Sequence, residues 1–313
     1  MFPFARRLNR KIQQLIWQYN VSIARNAIRG VDSWRFMDAL GIPGFGTDLV
    51  RIDFLPSDYG TSCWKLDSVT FSSIRSSIED AYCDTGTLNQ VFSYEDKIDR
   101  LSLKECDAID GKAWKANEFL SLLDILGLYA MLDIFKPKTY LEIGSGMSTR
   151  VAGMSIVENN LSTSMVCIDP SPRLPISNGN AKHLRASLET SVEFVVETLR
   201  PGDVLFFDGS HRSFPGSDVT TFFLGVIPRL QPGVIVHIHD IYLPFDYPES
   251  RLSRFWNEQY LLACWLLGGG RNVEIILPGM YCQNLVLDEA SKKKWLDFSL
   301  PITDWTSFWF RTG

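Results

Sequence analysis

Two short stretches of the chain contain acids and imidazoles, the residue types that bind metal ions and move protons. Their sequences are Asp-Gly-Ser-His at residues 208–211 and His-Ile-His-Asp at residues 237–240. The first motif follows the apolar run DVLFF and the second follows GVIV. Such runs are typical of buried parallel strands. Because the carboxyl ends of parallel strands meet at one edge of a sheet, we expect the two motifs to emerge at the same edge, where two carboxylates and an imidazole converge.

Such a cluster supports two kinds of chemistry. Carboxylates suit Mg²⁺ or Mn²⁺, and imidazole is better tolerated by manganese, iron or zinc. A histidine also titrates near neutrality, so His211 can take a proton from a hydroxyl group. Other roles stay open: Asp208 can contact solvent or a cofactor, His211 can anchor its loop by a hydrogen bond, and His237, deeper in its strand, can belong to the core.

A third stretch, YLEIGSGMSTRVA at residues 140–152, has the pattern of a ligand-binding turn. Gly144 and Gly146 have no side chain, so a ligand can approach the backbone closely there. A dinucleotide fingerprint would need a third glycine at position 149, where Thr149 stands. Glu142 would repel a pyrophosphate and suits a cationic ligand. The turn alone also fits a simple connection between a strand and a helix.

A second acid, Asp169, ends the next apolar run, SMVCIDP. A carboxylate at the end of the second strand can bind both hydroxyls of a ribose. NAD sites and S-adenosylmethionine sites share that feature, so Asp169 by itself leaves both cofactors open.

The elements that position these motifs alternate regularly from residue 114 onward. Apolar runs at TYLEIG, SMVCIDP, DVLFFDG and GVIVHIHDI are separated by the helical patterns STRVAGMSIVENN, SLETSVEFVVETL and SDVTTFFLGVIPRL. Alternating strands and helices predict a doubly wound α/β fold with helices on both faces of the sheet. A long helix at residues 250–267, strands at VEIILP and SFWFRT and a helix near residues 288–296 complete the prediction.

The first 115 residues are less regular and predict a smaller, mainly helical segment, followed by the main domain at residues 116–313. Residues 68–82 have a helical pattern, and the spacing of apolar residues over 5–29 predicts an amphipathic helix with a basic face. That helix can contact an anionic membrane surface or pack on this protein or a partner subunit. The segment at residues 30–115 can cover the active site or serve as a structural cap.

Composition restricts the classes of partner. The net charge of −5 argues against nucleic acid as a bulk partner, and no apolar run is long enough to span a membrane. The six cysteines include no CxxC pair, which argues against a zinc site or a disulfide scaffold. Because the N-terminus also lacks a signal-peptide core, we expect a cytoplasmic protein, with peripheral contact at the inner membrane face left open.

The glycine turn and the strand-end acids together resemble a class I S-adenosylmethionine-dependent methyltransferase over roughly residues 116–313. The resemblance implies a Rossmann-like, mostly parallel seven-stranded sheet. It also implies that a set of turn and strand-end residues binds the cofactor, with the ribose on Asp169 and the adenine near Ser187. That set is Glu142, Gly144, Ser145, Gly146, Asp169, Ser187 and Asp208.

DGSH and HIHD resemble a bacterial subgroup of macrocin-type sugar O-methyltransferases and related cephalosporin hydroxylase-like proteins. This resemblance implies metal ligands at Asp208, His239 and Asp240 and a base at His211, although the subgroup tends to have an acid where His239 stands. It implies O-methylation of a sugar, glycolipid or natural product, assisted by Mg, Mn or Fe. A metal-dependent hydroxylase, a non-catalytic binding or assembly protein and a homo-oligomer stay open as alternatives.

Overall fold

A computed structural model of the chain describes residues 44–45, 48–49, 71–82, 86–105, 113–174, 181–252, 254–297 and 299–313. The chain divides into two compact units. The first, Met1–Lys65 with Pro248–Phe255, includes the antiparallel strands β1 (Gly44–Phe45) and β2 (Asp48–Leu49) and the helix Glu249–Leu252. The basic helix expected at residues 5–29 lies outside the described residues. The boundary expected between residues 115 and 116 stays a prediction.

The second unit, Leu66–Tyr247 with Trp256–Gly313, contains one seven-stranded sheet in the order β5-β4-β3-β6-β7-β9-β8. The run from β5 to β7 is parallel, and β9 pairs antiparallel with both β7 and β8. The predicted α/β class and the mostly parallel seven-stranded sheet are therefore confirmed. The strands are Thr139–Ile143 (β3), Ser164–Ile168 (β4), Ala181–Leu184 (β5), Val204–Phe207 (β6), Ile235–Ile238 (β7), Glu274–Pro278 (β8) and Phe308–Arg311 (β9).

Helices cover both faces of this sheet because successive strand residues point to opposite sides. In β3, Tyr140 enters the core beneath the helices Leu122–Phe135 and Met147–Glu158, whereas Leu141 enters the opposite core. The other α-helices of this unit are Ser72–Ala81, Thr87–Phe92, Glu95–Asp99, Val192–Thr198, Asp218–Thr221, Glu258–Leu267, Gly279–Tyr281 and Glu289–Trp295. Short 3-10 turns occupy Leu188–Thr190, Ile227–Arg229 and Gly270–Asn272, and π-helical turns occupy Phe222–Val226 and Cys282–Val286.

Two local features of the fold differ from what the sequence led us to expect. The continuous helix expected at residues 250–267 is wrong, because the structure has two helices, Glu249–Leu252 and Glu258–Leu267, with non-helical residues between them. Phe255 adopts a φ of +56°, which an α-helix does not allow. The strand Ala181–Leu184 was not expected, since its side chains are only partly covered and form no apolar run. No helix in the described part of the chain is long and apolar enough to cross a membrane.

Four neighbouring parallel strands end in register, and this alignment builds the site. Ile143 pairs with Ile168 on one side and with Phe207 on the other, and Phe207 pairs with Ile238. The residues that follow these four positions therefore emerge side by side. The strand order reverses between β3 and β6, which is where open α/β sheets bind ligands.

Candidate active site

The glycine turn packs tightly on one side and is open on the other. Gly144 has a φ of +84°, and a Cβ built on it would lie 2.0 Å from the carbonyl oxygen of Asp208. Its backbone N–H donates to the carbonyl of Ile168 at 3.1 Å. A Cβ on Gly146 would meet no atom within 4 Å. Gly144 is therefore needed for packing between strands, whereas Gly146 keeps the space in front of the turn free.

Glu142 is fully buried behind this turn. One of its carboxylate oxygens accepts hydrogen bonds from the hydroxyls of Ser148 (2.7 Å) and Thr149 (2.8 Å), in the first turn of the following helix. Burial raises the pKa of Glu142 to about 8, although these hydrogen bonds lower it. The side chain thus ties the strand to the helix. Its contact with a cofactor stays a prediction.

Asp169 stands beside the glycine turn with its carboxylate held by backbone groups. Oδ2 accepts from the N–H of Ser145 at 2.6 Å, and Oδ1 accepts from the N–H of Ser171 at 2.7 Å. The residue is half-buried. Because an ionised carboxylate has about four acceptor sites, it can still receive two ligand hydroxyls. Ser187, also half-buried, lies past the end of β5 and caps the 3-10 turn Leu188–Thr190.

The structure brings Asp208, His211 and Asp240 together at the edge where the two strand-end motifs emerge. One ligand atom from each of the three lies within 4.8 Å of the others. His211 Nε2 is 3.5 Å from Asp208 Oδ1 and 3.6 Å from Asp240 Oδ2. The two carboxylates retain 29% and 16% side-chain exposure, so the cluster is accessible from solvent.

Both motifs place a non-glycine residue in the left-handed region of backbone space. The φ angle is +62° at His211 and +58° at Asp240. Such residues cost about 1 kcal/mol or more and persist where the surrounding structure holds them, commonly at functional sites. These conformations aim the imidazole and the second carboxylate at the same point.

His211 is held on its other side by Glu258, which is fully buried. Nδ1 lies 2.6 Å from Glu258 Oε1, and the ring packs against Trp256 at 4.2 Å between centroids. Burial lowers the pKa of His211, but Glu258, Asp240 and Asp208 raise it more strongly, to about 9. Burial raises the pKa of Glu258 to about 7, although the neighbouring His211 lowers it.

His239 was expected among the metal ligands, but the cluster of close ligand atoms contains His211 in its place. His239 is buried, with Nε2 3.5 Å from Asp124 Oδ2 and Nδ1 3.8 Å from Asp240 Oδ1. It thus lies behind Asp240, on the side of the helix residue Asp124. Its role as a metal ligand stays a prediction.

His237 and two tyrosines near the site are part of the protein interior. His237 is stacked on Trp309 at 4.0 Å, and burial lowers its pKa well below the ordinary value, in keeping with a core histidine. In the loop after β7, Tyr242 and Tyr247 are buried and contact one another edge to face at 5.6 Å.

Three acids that support the site were not identified from sequence. Asp124, in the first turn of the apolar helix Leu122–Phe135, accepts from the N–H and hydroxyl of Ser307 at 3.0 and 2.7 Å. Asp218 anchors the DGSH loop by accepting from the N–H of Ser210 at 2.7 Å. Glu258 lies 47 residues from His211, and no local spacing connects them. Only Asp218 had a usable signal, as an acid in the first turn of a helix after the motif.

Residues 141–241 match the family model described as Methyltransferase domain. The matched range begins inside β3 and ends after β7, so it includes the glycine turn, Asp169, DGSH and HIHD. This part of the chain matches a methyltransferase domain, which bears out the predicted class of enzyme. No curated protein matches the chain.

Solved methyltransferase structures match the chain at low identity. SAH-bound PaMTH1 from Podospora anserina is 14% identical, with 81% of this chain and 99% of that chain covered and a TM-score of 0.39. The O-methyltransferase from Bacillus cereus in complex with SAH is 12% identical, with 77% and 97% covered and a TM-score of 0.37. MycE from the mycinamycin biosynthetic pathway, in complex with Mg and SAH, is 18% identical, with 36% and 30% covered and a TM-score of 0.28. The alignment therefore spans less than a third of MycE.

Proposed function

We propose that the protein transfers a methyl group from S-adenosylmethionine to a hydroxyl oxygen. The observation that carries this proposal is the common register of four strand ends, which places Gly146, Asp169 and the Asp208–His211–Asp240 cluster along one edge of the sheet. A binding crevice and a group of acid–base residues thus adjoin one another. That is the arrangement a two-substrate transfer reaction needs.

The residues on the glycine-turn side fit the methyl donor. Gly146 leaves room for the amino-acid part of the ligand, and Asp169 presents oriented carboxylate oxygens to a ribose. Ser187 stands where an adenine would lie if the nucleoside follows the strand ends. S-adenosylmethionine supplies a methyl group activated by a sulfonium centre.

The cluster fits a divalent cation. Asp208 and Asp240 offer carboxylate oxygens from two adjacent loops, and His211 lies beside them as the base rather than as a ligand. Oxygen-rich ligation suits Mg²⁺ or Mn²⁺ and also accepts Fe²⁺. A divalent ion supplies Lewis-acid activation, which lowers the pKa of a hydroxyl bound to it.

In the proposed reaction, the acceptor oxygen bonds to the methyl carbon while the carbon–sulfur bond breaks, and its electron pair stays on sulfur. The hydroxyl proton passes to Nε2 of the neutral form of His211, which faces the two aspartates; because the pKa of His211 is about 9, this form is a minority near neutral pH and becomes predominant only above about pH 9. Carboxylates around the acceptor orient it for in-line displacement, so alignment accounts for much of the rate.

For the acceptor, we propose a hydroxyl on a sugar, a glycolipid or a natural product. A lipid-linked glycan is the version that the basic pattern at residues 5–29 favours, since such a helix binds anionic lipid surfaces. Flotation with vesicles containing anionic lipid tests this version. Binding that survives deletion of residues 1–30 would remove its support.

The reaction is tested by incubating the protein and Mn²⁺ with S-adenosylmethionine carrying a deuterated methyl group and panels of hydroxylated glycans and natural products. We expect a mass increase on one acceptor class and its loss in Asp208→Ala and His211→Gln, with Asp297→Asn as an exposed control. Bound iron together with absent S-adenosylmethionine affinity would favour a hydroxylase. Cellular activity unaffected by Asp208→Ala and His211→Ala would favour a non-catalytic role.

A further inference from the structure

We infer that Glu258 is a positioning residue for His211: it holds Nδ1 so that Nε2 faces Asp208 and Asp240. This inference rests on the proposed function, because it assigns a reason for the direction of the imidazole. Neither Glu258 nor the residues around it belong to the motifs that predicted the site. Glu258 begins the helix Glu258–Leu267, and Trp256 and Asn257 immediately precede it.

The contact between the two side chains is short and protected from water. Glu258 Oε1 is 2.6 Å from His211 Nδ1, Glu258 has no exposed surface, and His211 retains 8%. Oε2 of Glu258 has no hydrogen-bond partner among the described residues, so the carboxylate is directed to the imidazole alone. An ionised carboxylate only accepts hydrogen bonds, which places a proton on Nδ1.

The flanking residues hold the same two loops. The N–H of Asn257 donates to the carbonyl of His211 at 2.9 Å, and the side-chain oxygen of Asn257 accepts from the N–H of Ser213 at 2.6 Å. Gln259 accepts from the N–H of Tyr242, two residues past Asp240, at 2.9 Å. Residues 256–259, four consecutive positions, thus contact both strand-end loops.

This arrangement explains why His211 can work from a left-handed backbone position. Trp256 packs against its ring, Asn257 binds its carbonyl, and Glu258 binds its inner nitrogen. With Nδ1 engaged, the only nitrogen that can receive a proton from an acceptor is Nε2. Without Glu258, the ring can rotate or carry its proton on Nε2, and either change removes the acceptor atom.

Nuclear magnetic resonance of [¹⁵N]histidine-labelled protein tests the geometry without an acceptor, because the chain has only four histidines. His211→Gln assigns the signal. We expect a strongly downfield Nδ1–H proton in the wild type and in Glu289→Gln, whose carboxylate is 91% exposed. In Glu258→Gln, which keeps shape and loses charge, that proton should move upfield. An unchanged His211 spectrum in Glu258→Gln would overturn the inference.

Kinetics with the acceptor from the screen separates this inference from the proposed function. We expect Glu258→Gln to lower kcat about 100-fold or more, with less than about a 3-fold change in acceptor KM or in Kd for S-adenosylhomocysteine. Glu258→Asp should restore part of kcat, and each variant's unfolding is measured in parallel. Wild-type kcat in Glu258→Gln refutes the positioning role, whereas a wild type that binds no S-adenosylhomocysteine refutes the proposed function.

Discussion

Gly144 and Asp208 meet through the main chain: a Cβ on Gly144 would lie 2.0 Å from the Asp208 carbonyl oxygen. This contact joins the glycine turn to the first residue of the acid–base cluster at the point where the strand order reverses. The two halves of the site are therefore fixed relative to each other by backbone packing. Any side chain at Gly144 would separate them.

The two glycines of the turn should respond differently to the same substitution. Gly144→Ala adds a Cβ against backbone at a φ of +84°, so we expect a loss of about 3 kcal/mol or more in unfolding free energy. Gly146→Ala meets open space and should change stability by less than about 1 kcal/mol. It should weaken S-adenosylhomocysteine binding about 10-fold, measured by calorimetry. Equal destabilisation by both variants would contradict this assignment.

The raised pKa of Glu142 leads us to expect a pH-dependent difference in stability between the wild type and Glu142→Gln. Its folded pKa of about 8 lies above the unfolded value of 4.5, so its stability contribution is complete below 4.5 and is lost as the pH rises to about 8. Glu142→Gln keeps an acceptor for Ser148 and Thr149 and cannot ionise. We expect wild-type stability to fall relative to this variant by about 1.4 kcal/mol per pH unit in that window.

Chemical denaturation of wild type and Glu142→Gln at several pH values from 5 to 9 checks the difference. Glu193→Gln is the control, because that side chain is 70% exposed. Stability curves that run parallel for wild type and Glu142→Gln would show that Glu142 does not titrate in this range.

The buried pair of Asp124 and His239 should contribute to stability. Asp124→Asn keeps the size of the side chain, but it replaces one accepting oxygen by a donor and leaves His239 buried beside an uncharged amide, which should cost about 3–5 kcal/mol. The double variant with His239→Gln should recover part of that loss, since no charge is then left unpaired. Additive effects of the two single variants in denaturant unfolding would mean that the pair is not coupled.

Metal binding should depend on both strand-end carboxylates. We expect Asp208→Ala and Asp240→Ala each to weaken Mn²⁺ binding about 10-fold or more, because each removes a ligand from a compact cluster. Titration followed by electron paramagnetic resonance measures the free ion, with Asp297→Asn as the control. Unchanged Mn²⁺ affinity in both aspartate variants would exclude the cluster as a metal site.

The parts that sequence predicted well are those where local pattern and structure coincide. The apolar runs before Asp169, Asp208 and Asp240 are central strands buried on both faces, and the acids emerge at their ends. By contrast, Ala181–Leu184 lies at the sheet edge with polar, partly covered side chains and has no such pattern. The sequence also does not reveal the direction of an acidic side chain. The carboxylate of Glu142 faces the interior, where it accepts hydrogen bonds from Ser148 and Thr149.

Long-range contacts account for the remaining differences. Glu258 reaches His211 only because the expected helix at residues 250–267 is interrupted, and Asp124 reaches His239 through packing of a helix start on two strands. Neither of these two contacts could be predicted from the separation of its residues along the sequence. The choice between His211 and His239 beside the two aspartates likewise depends on the loop conformation at His211.

Calorimetry with S-adenosylhomocysteine is the most direct test of the account, because every proposed role depends on a nucleoside lying across Gly146 and Asp169. Titrations of wild type, Asp169→Ala and the control Asp297→Asn, with NAD as the competing ligand, need no acceptor. We expect S-adenosylhomocysteine to bind to wild type and control and to bind about 10-fold or more weakly to Asp169→Ala. We expect no binding of NAD. Binding of NAD with no binding of S-adenosylhomocysteine would contradict it.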